Sequence, residues 1–129
     1  MIKEAYVSFE TAKLLKEKGF DEKVSTHYLV HPSGFSEFFD KKDEFPEPED
    51  VWLKCPTHQM AMKWLREEYN IYISIQPDFP SEIGYKMCWC WSANILHENC
   101  ISTKRHQCYI ETYEEACEAA IKYCLEYLI

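Results

Sequence analysis

Hydrophobic residues recur at helical spacing in three segments of the chain, each opened or closed by residue types that favour helix ends. The first covers residues 8–18, where Ser8 is a favourable N-cap and Gly19 supplies the left-handed residue that ends a helix. The second covers residues 57–69. The third opens with a capping box at residues 112–115 and continues an i, i+3, i+4, i+7 pattern to the end of the sequence. The pattern therefore predicts three amphipathic helices.

Four segments between these helices favour strands, because they combine alternation with β-branched and aromatic residues: residues 24–31, 71–75, 85–95 and 107–111. Residues 77–81 predict a turn, and the polar residues 96–106 predict a hairpin connection. Consecutive strand candidates favour an antiparallel meander. We therefore expect a two-layer α+β domain, with an antiparallel sheet of about four strands and three helices mainly on one face. The length of 129 residues predicts a single domain over 1–129.

Residues 35–50 do not fit this pattern, because phenylalanines and carboxylates are interleaved there with two prolines that oppose regular structure. A solvated surface loop is one interpretation of the segment. The other is a docking loop for a basic partner, in which aromatic anchors are surrounded by negative charge. The candidate contact residues are Phe38, Phe39, Phe45, Glu47, Glu49 and Asp50.

The overall charge narrows the class of partner. Lys and Arg number 14 against 22 Asp and Glu, so the formal net charge is −8. A negative field repels phosphate backbones, which makes a general nucleic-acid binder an unfavourable interpretation. No apolar run reaches the roughly 18 residues that a membrane-spanning helix needs, and the first residues lack the pattern of a signal peptide. We therefore expect a cytoplasmic protein without a membrane partner.

The sequence holds seven cysteines, an odd number that favours free thiols in a reducing compartment. Most such thiols behave as small buried hydrophobic groups, and no bound cofactor is expected on that interpretation. The alternative is structural zinc on the hairpin at residues 88–108, with the candidate ligands Cys88, Cys90, His97 and Cys100. A strand at 88–91 places both its sulfurs on one face and Trp89 and Trp91 on the other.

Catalytic patterns are sparse. Cys55 lies just before the second helix, and His58 follows Cys55 by three residues. A Cys–His nucleophile is therefore formally available. No glycine-rich phosphate loop, Gly-x-Ser-x-Gly or His-Glu-x-x-His motif occurs in the sequence. The sequence leaves catalysis open and favours a non-catalytic protein.

Three stretches resemble a known group of proteins: residues 6–20, residues 56–69 and the helix that opens at 112–116. They are similar to small uncharacterised proteins from phages and mobile elements of gut Bacteroidetes. The resemblance implies a cytoplasmic accessory role in a phage or prophage setting, and it implies no catalytic residues. We therefore expect a non-catalytic protein that binds another protein or itself. The alternatives are a zinc-stabilised binding domain, or an anti-defence protein that binds a small molecule or nucleotide in a basic or aromatic pocket.

Overall fold

The computed structural model describes residues 2–31, 33–34, 36–40, 52–80 and 86–129. The chain divides into two compact units, Met1–Thr57 and His58–Ile129. The units contain three α-helices and two antiparallel three-stranded sheets among the described residues, which confirms the α+β class. Six strands lie within the described residues, and they are shared between two sheets. The single domain over 1–129 stays a prediction.

The first unit combines one helix with a small sheet. Its elements are α1 (Phe9–Glu17), β1 (Thr26–Val30), β2 (Ser36–Asp40) and β3 (Trp52–Lys54), and the sheet order is β2-β1-β3. The Ser8 hydroxyl accepts a hydrogen bond from the Thr11 amide at 3.2 Å, so α1 is capped as the sequence predicts. Gly19, with a φ of 93°, ends the helix. Buried side chains of the core include Val7, Ala12, Leu15, Phe20 and Leu53.

Strand β2 corrects the prediction that residues 35–50 lack regular structure. Its backbone pairs with β1 in an antiparallel register that joins Tyr28 to Phe38 and Val30 to Ser36. The prolines that argued against a strand lie further along, at positions 46 and 48. The β2 sequence does not alternate between polar and apolar residues, so its pairing with β1 was not visible in the pattern.

The second unit consists of α2 (His58–Tyr69), β4 (Ile71–Asp78), β5 (Cys88–Leu96), β6 (Ile101–Ile110) and α3 (Tyr113–Tyr123). A π-helical segment, Cys124–Leu128, continues α3. Thr112 caps α3 by accepting a hydrogen bond from the Glu115 amide at 3.1 Å, as the capping box predicts. Asn70 adopts a left-handed φ of 56° between α2 and β4, which is a conformation that asparagine tolerates.

Helices α2 and α3 lie on one face of the β4-β5-β6 sheet. Ile71 and Ile73 are buried on that face, and two ring contacts join β5 to α3. The Trp89 and Tyr113 rings are 5.3 Å apart between centroids, and the Trp91 and Tyr123 rings are 5.6 Å apart. Since side chains alternate along a strand, Cys88 and Cys90 lie on the opposite face. We call that surface the helix-free face.

Two strands of this sheet extend well beyond their predicted bounds. β4 continues through Pro77 and Asp78, where a turn was expected, and β6 begins at Ile101 rather than at residue 107. Both are edge strands of the sheet. An edge strand tolerates proline, because one side of its backbone has no ladder to complete. It also tolerates polar side chains, and most residues of β6 are exposed. The polar residues that indicated a loop are therefore those of a solvent-exposed edge strand, β6.

Candidate functional site

Two cysteines and one histidine converge on the β5–β6 hairpin. The ligand atoms of Cys90, His106 and Cys108 all lie within 4.8 Å of one another. Cys90 is buried, Cys108 is half-buried and His106 is exposed, so the cluster is accessible from one side. His106 Nε2 is 3.1 Å from Cys108 Sγ. We call these three residues the Cys–His cluster.

The structure joins Cys90 and Cys108 in a disulfide, with their Cα atoms 4.1 Å apart. This corrects the expectation that all seven cysteines are free thiols. The five remaining cysteines form no disulfide: Cys55, Cys88, Cys100, Cys117 and Cys124. The reason for the difference is the antiparallel pairing of β5 with β6, which brings together two residues that are 18 positions apart in the sequence.

An irregularity in β6 determines which side chains share the face of Cys90. Near the turn, Asn94 pairs with Thr103, but the next residue of β5, Ala93, pairs with Arg105. Lys104 is therefore an extra residue, a β-bulge. Beyond the bulge, Trp91 pairs with Gln107 and Cys108 lies beside Cys90, where a second irregularity precedes the pair of Trp89 with Ile110. In an uninterrupted ladder Gln107 would face Cys90, and both His106 and Cys108 would lie on the other face of the sheet.

A buried amide holds the three strands in register next to the cluster. The Asn94 side-chain amide donates to the Tyr72 carbonyl at 2.9 Å, and its oxygen accepts a hydrogen bond from the Thr103 hydroxyl at 2.7 Å. These bonds join β5 to both of its neighbours on the helix-free face. A buried amide with satisfied bonds specifies register, because any slip leaves its polar atoms without partners.

The donor set suits a soft cation once the disulfide is reduced. Thiolate sulfur and imidazole nitrogen are the ligands that Zn²⁺ prefers. Bond lengths of about 2.0–2.3 Å and tetrahedral angles require ligand atoms about 3.6–3.8 Å apart. The three ligand atoms of the cluster are grouped within 4.8 Å, so small side-chain rotations suffice to reach that geometry. A fourth ligand position would stay open to water or to a partner molecule.

The structure does not bring the predicted zinc ligands together. Cys88 and Cys90 lie near the start of β5, whereas His97 and Cys100 form the turn after its end, where the His97 amide donates to the Cys100 carbonyl at 2.8 Å. An extended strand rises about 3.3 Å per residue, so Cys90 and His97 are separated by roughly 20 Å. Of the four predicted ligands, only Cys90 belongs to the Cys–His cluster.

Sequence reasoning missed His106 and Cys108 as members of a site. The signal was the repeated spacing of Cys88-x-Cys90 and His106-x-Cys108, which places pairs of ligand residues on one face of successive strands. Interpreting residues 96–106 as a connection hid this relation, because His106 then fell outside any strand.

The predicted contact residues fall partly on β2. The Phe38 side chain is 43% exposed although its ring contacts Tyr6 and Tyr28, with centroids 5.1 and 5.7 Å away. Phe39 pairs with His27 across the ladder. The other predicted contact residues, Phe45, Glu47, Glu49 and Asp50, lie outside the described residues.

The residues of the possible Cys–His nucleophile have structural roles in their own units. The Cys55 thiol is fully buried and donates to the Val7 carbonyl at 3.4 Å. His58 is buried in the second unit, with Nε2 3.1 Å from Glu118 Oε1.

Two cysteines of the last helical segments are also buried, as their sequence pattern predicts. Burial raises the pKa of the Cys117 thiol to about 11 and the pKa of the Cys124 thiol to about 12. Both groups stay protonated at neutral pH and serve as packing groups rather than as nucleophiles.

Comparison of the chain with protein-family models, with curated proteins and with solved structures finds no match. Within the described residues, the helices are too short or too polar for any of them to cross a membrane.

Proposed function

We propose that this chain is a small non-catalytic binding protein and that its Cys–His cluster holds Zn²⁺ when Cys90 and Cys108 are reduced. The observation that supports this proposal is the grouping of two sulfurs and one imidazole within 4.8 Å. The metal cross-links β5 to β6 and stabilises the face on which a partner binds. The open fourth position accepts water or a ligand atom from the partner.

The disulfide and the metal exclude each other, because both use the same two sulfur atoms. Reduction adds two electrons and two protons to the disulfide and gives two thiols, and a thiol reductant is oxidised to its own disulfide in exchange. Zn²⁺ binding then releases the thiol protons, since the metal binds thiolates. The cluster therefore alternates between an oxidised form without metal and a reduced form that binds metal.

Metal titration of the reduced protein tests the proposal. Tag-free protein is reduced with a phosphine, which takes its oxygen from water as it cleaves the disulfide, and is then titrated with Co²⁺ as a spectroscopic probe for Zn²⁺. We expect one equivalent to bind with a thiolate charge-transfer band, and Zn²⁺ to displace it. Cys108→Ser and His106→Ala should weaken binding about tenfold or more, whereas Cys100→Ser, which changes an exposed thiol of the same hairpin, should not.

Three results would end the metal proposal. They are the absence of a charge-transfer band in reduced protein, equal binding by wild type and Cys108→Ser, and loss of binding in Cys100→Ser alone. The last result would move the site to the turn between β5 and β6.

A second candidate function is the binding of a basic protein segment by β2 and the acidic residues that follow it. The observation that favours it is Phe38, a large aromatic side chain that is 43% exposed at the start of a segment rich in carboxylates. An aromatic anchor beside negative charge fits an apolar residue flanked by Lys or Arg. The phage or prophage setting and the cytoplasmic location remain predictions of the sequence.

A pull-down with charge variants tests this second function. Neutralising Glu47, Glu49 and Asp50 should strongly weaken capture of a basic partner and should make the remaining capture insensitive to salt. The matched control neutralises three exposed carboxylates elsewhere in the first unit: Glu4, Glu17 and Glu22. Retention of every partner by the first variant would contradict the proposal, and native mass spectrometry of the same samples reports self-association.

A further inference from the structure

The helix face of the second unit contains a cleft between α3, its π-helical continuation and β6. Its volume is about 510 Å³, which lies within the range of about 300–1,000 Å³ that is usual for small-molecule sites. Its principal lining residues are Trp91, Arg105, Gln107, Lys122, Tyr123 and Tyr127. The cleft is separate from the Cys–His cluster, because the two lie on opposite faces of the same sheet.

The bulge at Lys104 also produces this lining. It places Arg105 opposite Ala93 and Gln107 opposite Trp91, on the face that carries α3. One strand thus directs an arginine and an amide into the cleft and directs His106 and Cys108 to the other side. The alternation gives β6 two separate chemical surfaces.

One wall of the cleft is aromatic. The Trp91 and Tyr123 centroids are 5.6 Å apart, and the Tyr123 and Tyr127 centroids are 5.1 Å apart. Tyr127 is 69% exposed and belongs to the π-helical segment. Such segments are uncommon in helices and occur frequently at functional sites. Tyr123 and Tyr127 offer a surface on which a planar group can stack, and the buried Trp91 ring contacts Tyr123.

The charge of the cleft is positive in a protein whose net charge is −8. Arg105 is exposed and forms no ion pair with any residue that the structure describes. Lys122 lies 3.9 Å from Glu126, so the carboxylate offsets one of the two cations. One positive charge remains, and a guanidinium can bind the two oxygens of a carboxylate or phosphate together.

Trp91, which lines the cleft, carries an unsatisfied donor. Trp91 is only 2% exposed, and its indole N–H has no hydrogen-bond partner among the described residues. A buried donor without a partner is destabilising, so native proteins retain few of them. This observation is independent of the charge and of the aromatic wall.

We propose that this cleft is a binding site for a small organic anion that carries a planar ring. The ring stacks on Tyr127 and Tyr123, and the anionic group binds Arg105 and Lys122. Nucleoside monophosphates and aromatic carboxylates share this chemistry. The site does not depend on the metal, so either proposal can fail without affecting the other.

Isothermal titration with four probes tests the site in the full chain. AMP and indole-3-carboxylate each combine a ring with an anion, adenosine has a ring without the charge, and inorganic phosphate has the charge without a ring. We expect binding of AMP or of the carboxylate, and at least tenfold weaker binding of both single-feature probes. Tighter binding of AMP indicates that the natural ligand is a nucleoside monophosphate. Tighter binding of indole-3-carboxylate indicates that it is an aromatic carboxylate.

Substitutions then assign the binding to the cleft. Arg105→Gln and Tyr127→Ala should each weaken it about tenfold, and both change exposed side chains, which keeps the fold intact. Lys104→Gln is the matched control, because it removes the neighbouring cation outside the cleft. Failure of AMP and of the carboxylate to bind at millimolar concentration would overturn the proposal. So would phosphate binding as tightly as AMP, or binding that neither Arg105→Gln nor Tyr127→Ala weakens.

Discussion

The cross-link between Cys90 and Cys108 makes the stability of the second unit depend on redox state. The two residues are 18 positions apart, and closing a loop of that length removes entropy from the unfolded chain. The chain-entropy relation gives about 3 kcal/mol for this separation at 25 °C. We therefore expect reduction to lower the free energy of unfolding of the second unit by about 3 kcal/mol. Zn²⁺ at a hundred times its dissociation constant should restore about 2.7 kcal/mol of that loss.

Urea unfolding of oxidised, reduced and zinc-loaded reduced protein measures these differences. Tryptophan fluorescence follows mainly the second unit, because Trp64, Trp89 and Trp91 belong to it and only Trp52 lies in the first. Cys108→Ser should unfold at the same urea concentration with or without reductant. Cys100→Ser should behave as wild type, since its thiol is exposed and unbonded.

Two outcomes would refute this reasoning. One is equal stability of oxidised and reduced wild type, which would mean that the cross-link does not constrain the unfolded chain. The other is a redox effect that persists in Cys108→Ser, which would assign the effect to another pair of cysteines. Peptide mapping of the oxidised protein distinguishes that second case by identifying the bonded residues.

Three further predictions follow from the β5–β6 hairpin and from α3. Deleting Lys104 removes the extra residue but keeps Ala93 opposite Arg105 and Trp91 opposite Gln107, so peptide mapping should still find Cys90 bonded to Cys108. Thr112→Ala removes the cap of α3 and should cost about 1 kcal/mol in urea unfolding, whereas Thr112→Ser should cost a few tenths at most. Burial raises the pKa of Cys117 from 9.0 to about 11, so between these values the unfolded chain loses a proton that the folded chain keeps. Stability should therefore fall as the pH rises from 9 to 11, and Cys117→Ala should show a smaller fall; an equal fall in that variant would contradict the assignment.

The three helices were predictable because their signals are local. A cap, an apolar stripe and a terminating residue all lie within one segment, as at Ser8 and Gly19 for α1. The strands at the sheet edges were less predictable. β6 resembles a loop in composition, since an edge strand that contacts water on both faces needs no apolar alternation. β6 is a strand because its backbone pairs with β5, and the local sequence of β6 does not indicate that pairing.

The candidate sites show the same division. The sequence indicated that Cys90 has a chemical environment different from that of Trp91, because period-two alternation separates them. It could not indicate that Cys108 is the partner of Cys90. That pairing depends on the number of residues in the turn and on the bulge in β6. The aromatic cleft depends equally on the packing of α3 against β5.

The amino-acid sequence by itself determined the helices, the α+β class and the burial of Cys117, because each of these follows from neighbours along the chain. The tertiary structure decided where the chemistry lies. One extra residue, Lys104, exchanges the two faces of β6 as far as a second irregularity opposite Cys90, which sends His106 and Cys108 toward Cys90 and sends Arg105 into the cleft. A strand has a repeat of two residues, so a bulge reverses the side chains that follow it until the next irregularity, and only the observed pairing of the strands reveals that reversal.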